Sequence, residues 1–292
     1  MDHIIFVKDF KENDVLRRSF NQLAMETFGI EFEDWYVKGY WTKKYIPYSL
    51  VKDNQIIANV SVNILTILIN GDEVPAIQIG TVMTDEGYRN KGYSRLLMEK
   101  VLEDYSHIPF MYLFANDTVL DFYPKFGFRH MEETIFSCNY MVTNGCPASF
   151  GKLDGTKQED LEFIYKKALT RKPNSALFST TGTEELVMFY AIKIFPQNCY
   201  WIAEEEAIVM CQHEGSTLHI YDIICNREVN ITTILDTMTT EETRKITFHF
   251  TPTFENLTYT KKEFSDHSTF FIRITQELDM PLHFKHPITS QA

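Results

Sequence analysis

Residues 77–105, IQIGTVMTDEGYRNKGYSRLLMEKVLEDY, constrain the fold more than any other stretch of the chain. From 77 to 83, Ile, Thr, Val and Met mix in strand fashion, whereas Leu97, Met98, Val101, Leu102 and Tyr105 recur at helical spacing. A polar turn of Arg89, Asn90, Lys91, Gly92, Tyr93 and Ser94 joins the two. A strand that feeds a turn opening a helix leaves the first helical N–H groups without internal partners, aimed where an anion can sit. Gly92 lets backbone and ligand approach closely because it has no Cβ. Arg89, Lys91 and Arg95 add positive charge, so the turn reads as a diphosphate cradle.

These residues resemble the acyl-CoA loop of the GNAT superfamily of N-acetyltransferases, whose pattern is Arg or Gln, x, x, Gly, x, Gly or Ala. Arg89 and Gly92 meet it, and the small Ser94 stands in the last place. A second match follows the apolar run 110–115: Asn116, a short segment expected to be helical from Asp117 or Thr118, then Phe122-Tyr123 leading into Gly127-Phe128. The resemblance covers roughly residues 4–143. It implies a mixed α/β (α+β) fold, a mostly antiparallel sheet flanked by helices, and acetyl-CoA as co-substrate in direct acetyl transfer to an amine.

The resemblance also implies roles for particular residues. Val82, Met83 and Thr84 lie on a strand splayed from its neighbour, where backbone groups pair with the pantetheine arm and the thioester carbonyl. Arg89, Asn90, Lys91, Gly92, Tyr93, Ser94 and Arg95 hold the pyrophosphate. Asn116 contacts the cofactor or an ordered water, or caps the following helix. Tyr123 is the general acid for the departing thiolate, since a phenol of pKa about 10 stays protonated above a thiol near 8.5; the alternative is that it packs beneath the pantetheine arm. The general base is open among Asp85, Glu86, Glu26, Glu31 and water.

A chain of 292 residues favours two domains. The expected division is a CoA-binding domain at 1–143, a Gly/Pro/Ser-bearing connection at 144–155, and a second domain at 156–292. The net charge of -12 argues against nucleic acid, whose phosphates need clustered Lys and Arg. No window approaches the ~18 apolar residues of a membrane span, and the start Met1-Asp2-His3 lacks a signal-peptide pattern. A cytoplasmic protein is therefore expected. Its 5 cysteines (Cys138, Cys146, Cys199, Cys211, Cys225) have no metal spacing and read as reduced thiols. His283-Phe284-Lys285-His286 reads as a surface tail, and no metal site is expected.

In the first half, 4–8 reads as an edge strand, 13–28 as a helix, and 47–52 and 56–70 as strands joined at Asp53-Asn54. Along the second of these strands, Asn59, Ser61 and Asn63 form a polar face expected to meet solvent. Residues 29–41 are dense in aromatics and acids. In the resembled fold they roof the acceptor site, so Glu31, Asp34, Trp35 and Tyr36 are candidates to hold an ammonium group of a small amine through charge and cation–π contacts. Ordinary packing is the competing reading for these aromatics.

The second half repeats the order of elements: helices at 157–169 and 184–195, strands at 200–204, 207–211 and 218–224, a helix at 229–238, then strands at 246–250 and 269–274 that are expected to complete its sheet. That order suggests a duplicated GNAT-like domain. Where the phosphate turn should recur stand Cys225, Asn226, Arg227, Glu228, Val229 and Asn230, with no glycine and an acid, so this half should not bind CoA. It would wall the acceptor cleft or supply a homodimer surface. The rival functions are a non-enzymatic acyl-CoA sensor and a Rossmann-type nucleotide binder; the latter needs a glycine-rich turn after the first strand, where this chain has residues 9–14.

Overall fold

A computed structural model of the chain describes residues 4–141, 148–266 and 268–292. Cys146 and residues 144–147 of the expected connection lie outside the described residues. The first half runs β1 (Ile5–Lys8), α1 (Asp14–Phe28), α2 (Glu33–Val37), β2 (Tyr45–Lys52), β3 (Gln55–Ile69), β4 (Asp72–Thr84), α3 (Tyr93–Asp104), β5 (Phe110–Asn116), β6 (Arg129–His130) and β7 (Glu133–Asn139). The remainder runs β8 (Phe150–Leu153), α4 (Gln158–Ala168), β9 (Phe178–Thr181), α5 (Glu184–Phe189), β10 (Cys199–Ile202), β11 (Ala207–Glu214), β12 (Thr217–Ile224), α6 (Ile231–Met238), β13 (Lys245–Phe248), β14 (Thr260–Phe264) and β15 (Ser268–Ile274).

These strands build two mixed, mostly antiparallel sheets. The first has the order β1-β2-β3-β4-β5-β15-β6, with β9 on β3, and the second β14-β7-β13-β12-β11-β10-β8. Local chemistry explains the better-read elements. Asn13 accepts from the N–H groups of Val15 and Leu16 to start α1, and Gly29 closes it at φ 71. Asp53 and Asn54, both at positive φ, turn β2 into β3.

The sheets exchange strands. Residues 269–274, expected to complete the second sheet, instead lie in β15, which pairs antiparallel with β5 of the first. In return β7 leaves the first sheet and pairs with β13 and β14. The expected connection also contains structure, since β8 pairs with β10. An alternating strand sequence states which face is buried and not which edge it meets, so these partners were not readable from it.

Two further expectations are corrected. Residues 283–286 are no surface tail: Lys285 and His286 are fully buried, with the Lys285 ammonium 3.0 Å from the Glu133 carboxylate and His286 Nε2 3.0 Å from the Tyr112 hydroxyl. Asn59, Ser61 and Asn63 are likewise buried, not solvated. The Asn59 amide donates to Ser61 Oγ and to the Thr81 carbonyl, and its oxygen accepts from Ser49 Oγ. Asn59 and Ser61 tolerate burial because they are hydrogen-bonded in this way.

One core joins the halves, because Phe20, Trp35 and Trp41 pack with Leu161, Val187 and Ile224. Among the described residues no helix is long and apolar enough to cross a membrane.

Candidate active site

β4 and β5 are parallel but pair only from Ala76 opposite Phe110 to Ile79 opposite Leu113. Beyond Ile79 the strands diverge, and Val82, Met83 and Thr84 line a cleft of about 1430 Å³ together with Phe114 and Asn116 from the end of β5. The divergence has a local cause. The register of β3 on β4 slips between Asn59 opposite Met83 and Ser61 opposite Gly80, which inserts one extra residue into β4. Thr81 sits in this bulge at φ 50, held by the Tyr45 hydroxyl on its Oγ1 (2.8 Å) and by the Asn59 amide on its carbonyl. The buried polar row of β3 is therefore the device that opens the sheet.

α3 begins where β4 ends. Gly92 caps it at φ 81, and no side chain accepts its first N–H groups. Every other described α-helix has a capping side chain or an acid in its first turn. α3 has neither, so the N–H groups of Tyr93, Ser94 and Arg95 are left facing the cleft. Ser94, in the place where Gly or Ala is the pattern, bonds Thr84 Oγ1 at 2.6 Å and pins the turn to the strand. Arg89, Asn90, Gly92, Tyr93, Ser94 and Arg95 line the cleft. Lys91 does not: its ammonium bonds the Gly87 carbonyl and lies 4.7 Å from the Tyr88 ring centroid.

The start of α6, where the second half is expected to lack a phosphate turn, is filled by the protein itself. A Glu205 carboxylate oxygen accepts from the Asn230 N–H, Asn230 caps α6, and Arg227 bonds the carbonyls of Glu204 and Glu205. A carboxylate already at that helix start repels a phosphate.

Across the cleft from α3, the segment after Asn116 is a chain of turns and not the expected α-helix, ending in a 3₁₀ turn over Tyr123–Phe126. Asn116 Oδ1 accepts from the Thr118 N–H and hydroxyl, which makes a local turn instead of a helix cap. The Tyr123 ring packs between Phe122, Phe128 and Phe271, with its centroid 5.9 Å from that of Phe271. Tyr123 lines the cleft, and its burial raises the phenol pKa above the ordinary 10, so it is a proton donor at neutral pH.

The expected roof divides. Trp35 is buried and lines the cleft, its indole N–H donating to the Glu185 carbonyl. Glu31 and Asp34 turn to Lys193, and Tyr36 bonds Glu12 beneath the Arg17 guanidinium; none of the three lines the cleft. None of Asp85, Glu86, Glu26 and Glu31 lines it either.

Leu186, Phe189, Tyr190, Ile194 and Phe195 complete the wall, and sequence reasoning assigned none of them to the site. They come from α5 and the π-helical turn over Tyr190–Ile194 that follows it, closed by Phe195 N–H on the Tyr190 carbonyl. A π turn re-aims side chains relative to an α-helix, and periodicity alone does not reveal it. The C-terminal segment adds Ile288, Gln291 and Ala292, the last so close to Gly80 that a Cβ there would stand 3.3 Å from it. Among the described residues, no group of three or more His, Cys, Asp or Glu is placed to hold a metal ion.

A strand opened by a bulge, an uncapped helix start and a buried phenol meet on one cleft. Residues 9–131 match the family model described as an acetyltransferase (GNAT) domain. Three solved structures share the fold. A conserved protein from Enterococcus faecalis V583, described as a probable N-acyltransferase, is 14% identical, with 94% of this chain and 73% of that chain covered and a TM-score of 0.63. A GCN5-related N-acetyltransferase from Kribbella flavida is 14% identical over 94% of this chain and 71% of that one, with a TM-score of 0.60. Eis1 from Mycobacterium abscessus is 11% identical, covering 94% and 73%, with a TM-score of 0.58. No curated protein matches the sequence.

Proposed function

We propose that the protein is an acetyl-CoA-dependent N-acetyltransferase that moves an acetyl group to a small amine by direct attack. The observation that carries this reading is the convergence on one cleft of the free α3 N-terminus, the unpaired edge of β4 and the Tyr123 phenol. The amides of Tyr93, Ser94 and Arg95 would hold the pyrophosphate, and the backbone of Val82, Met83 and Thr84 the pantetheine arm. The amine nitrogen bonds the thioester carbonyl carbon and the C–S bond breaks. The sulfur leaves with the Tyr123 proton, the nitrogen gives a proton to water, and the Tyr123 phenolate regains a proton from water.

The second half is read as a GNAT-like unit without a phosphate site, serving as a wall of the acceptor cleft. A non-enzymatic acyl-CoA sensor has one observation in its favour, the absence of all four candidate base carboxylates from the cleft wall. Isothermal titration of acetyl-CoA beside a thiol-release assay over an amine panel separates the two. Micromolar binding with turnover supports the enzyme, binding without turnover by any amine supports the sensor, and no binding removes both.

A further inference from the structure

We propose that the acceptor is a monoamine carried on an apolar body of aromatic size, as opposed to a polyamine or a small polar amine; this rests on the acetyltransferase reading above. The Tyr45 hydroxyl bonds the bulge residue Thr81, and the Tyr45 ring stacks on Phe32 at 5.8 Å. Phe32 in turn meets Phe189 at 5.4 Å. This chain of contacts places an aromatic arm of the cleft directly beside the strand edge at Val82 where the thioester is held.

Charge sorts in the same direction. The charged side chains of the cleft wall are Arg89, Arg95, Asp121, Lys125 and Asp266. Two belong to the phosphate turn, Asp121 and Lys125 flank Tyr123, and Asp266 precedes Ser268, whose partner across the sheet is Asn116. None of the five comes from the segments that build the aromatic arm, and that arm holds no charged side chain. Nearby acids are engaged elsewhere: Glu31 and Asp34 by Lys193, Glu33 by Arg17, and Glu184 and Glu185 by Lys44. At the mouth, Phe28 and Ile194 stand 40% and 47% exposed, apolar surface left open to water where an acceptor would enter.

The arm also addresses the missing base. An ammonium group entering an arm that holds no charged side chain is desolvated, and desolvation lowers an amine pKa. The acceptor therefore sheds one proton to water on entry and attacks as a neutral amine. A second proton leaves nitrogen for water after the C–N bond forms and the C–S bond breaks, and the sulfur takes the Tyr123 proton. A diamine would bring a second charge with nothing to pair it.

The test is steady-state thiol release from acetyl-CoA with 2-phenylethylamine, putrescine and ethanolamine at one pH. Burying a phenyl-sized group predicts kcat/KM for 2-phenylethylamine about ten- to a hundredfold above the other two. Phe189→Asp, which sets a charge in the arm, should cut that preference at least about tenfold. Its affinity for acetyl-CoA, measured by calorimetry, reports that the variant is folded, and Phe189→Leu should fall between the two. Equal or better turnover of putrescine or ethanolamine overturns this inference and leaves the acetyltransferase standing. Binding of acetyl-CoA with no turnover of any amine overturns both.

Discussion

Gly92→Glu isolates the phosphate cradle from the rest of the fold. Gly92 is exposed, and a Cβ added there meets no atom within 4 Å, so the free protein has room for the side chain. The cost to folding is the positive φ of 81, about 1 kcal/mol for a residue with a Cβ. A carboxylate at the start of α3 recovers roughly 0.3–1 kcal/mol of that through the helix dipole. Stability should therefore change by less than about 1 kcal/mol, within a few degrees of melting temperature. Binding is different. A unit charge pair at 4 Å is worth about 1 kcal/mol in water and about 4 kcal/mol at an effective dielectric of 20. The turn is solvent-exposed, so two phosphates facing the new carboxylate give roughly 2–4 kcal/mol of repulsion. Calorimetry with acetyl-CoA should then report a Kd raised roughly 30- to 1000-fold, with the deficit shrinking as salt is added. Gly92→Ala shares the backbone strain without the charge and should lose less than about tenfold. A glutamate variant within about threefold of the parent refutes the cradle, and equal losses for both variants assign the effect to strain.

Tyr123→Phe should lower kcat by about a hundredfold or more while acetyl-CoA affinity holds, because only the proton donor is removed; unchanged kcat across pH would assign the proton to water. Lys285→Met should destabilise by about 3–5 kcal/mol in urea unfolding, since it strands the buried Glu133 carboxylate, and Glu133→Gln in the same chain should recover much of that. Acid should weaken the fold, because burial lowers the pKa of His286 well below 6.5 and that of His249 to about 3. The unfolded chain takes up protons below 6.5 while these folded histidines do not, so stability is full above 6.5 and falls as pH drops. From pH 6.5 to 5.5 the loss is about 1 kcal/mol per histidine, and flat denaturation midpoints over that interval would contradict it.

The legible parts of this protein were those whose signal is local. Asn13 and Gly29 bracket α1, Asp53-Asn54 turns β2 into β3, and Gly92 opens α3, each through a side chain or dihedral acting within a few residues. The start of α3 beside the end of β4 was readable for the same reason. Features set by distant partners were not. The pairing of β15 with β5 joins residues 150 or more positions apart, and nothing in Thr269 or Phe271 names that edge. Lys285 and His286 resemble an exposed tail until Glu133 and Tyr112 are in place. The acidic residues of 29–41 suggested an ammonium site because their counter-ions, Lys193 and Arg17, could not be located from spacing.

The strand exchange bears on what the second half of the chain contributes to the cleft. β15 covers the free edge of β5, so the V between β4 and β5 is buttressed by a strand from the far end of the chain. The segment after it crosses the same sheet, where Gln78 receives the Ala292 N–H and donates to the Ser290 carbonyl, and Thr289 bonds Asp222 of β12. Asp222 is itself clamped by both terminal nitrogens of Arg171, at 2.7 and 2.6 Å. The second sheet thus fixes the segment that lines the opened strand, while α5 and its π turn supply the cleft wall of Leu186, Phe189, Tyr190 and Ile194. The wall from β4 and α3 is encoded by one strand, turn and helix; the wall from α5 and the C-terminal segment draws on the second half of the chain. On the proposed acetyltransferase reading, variation in Phe189, Tyr190 and Ile194 would retune the acceptor without touching β4 or the start of α3.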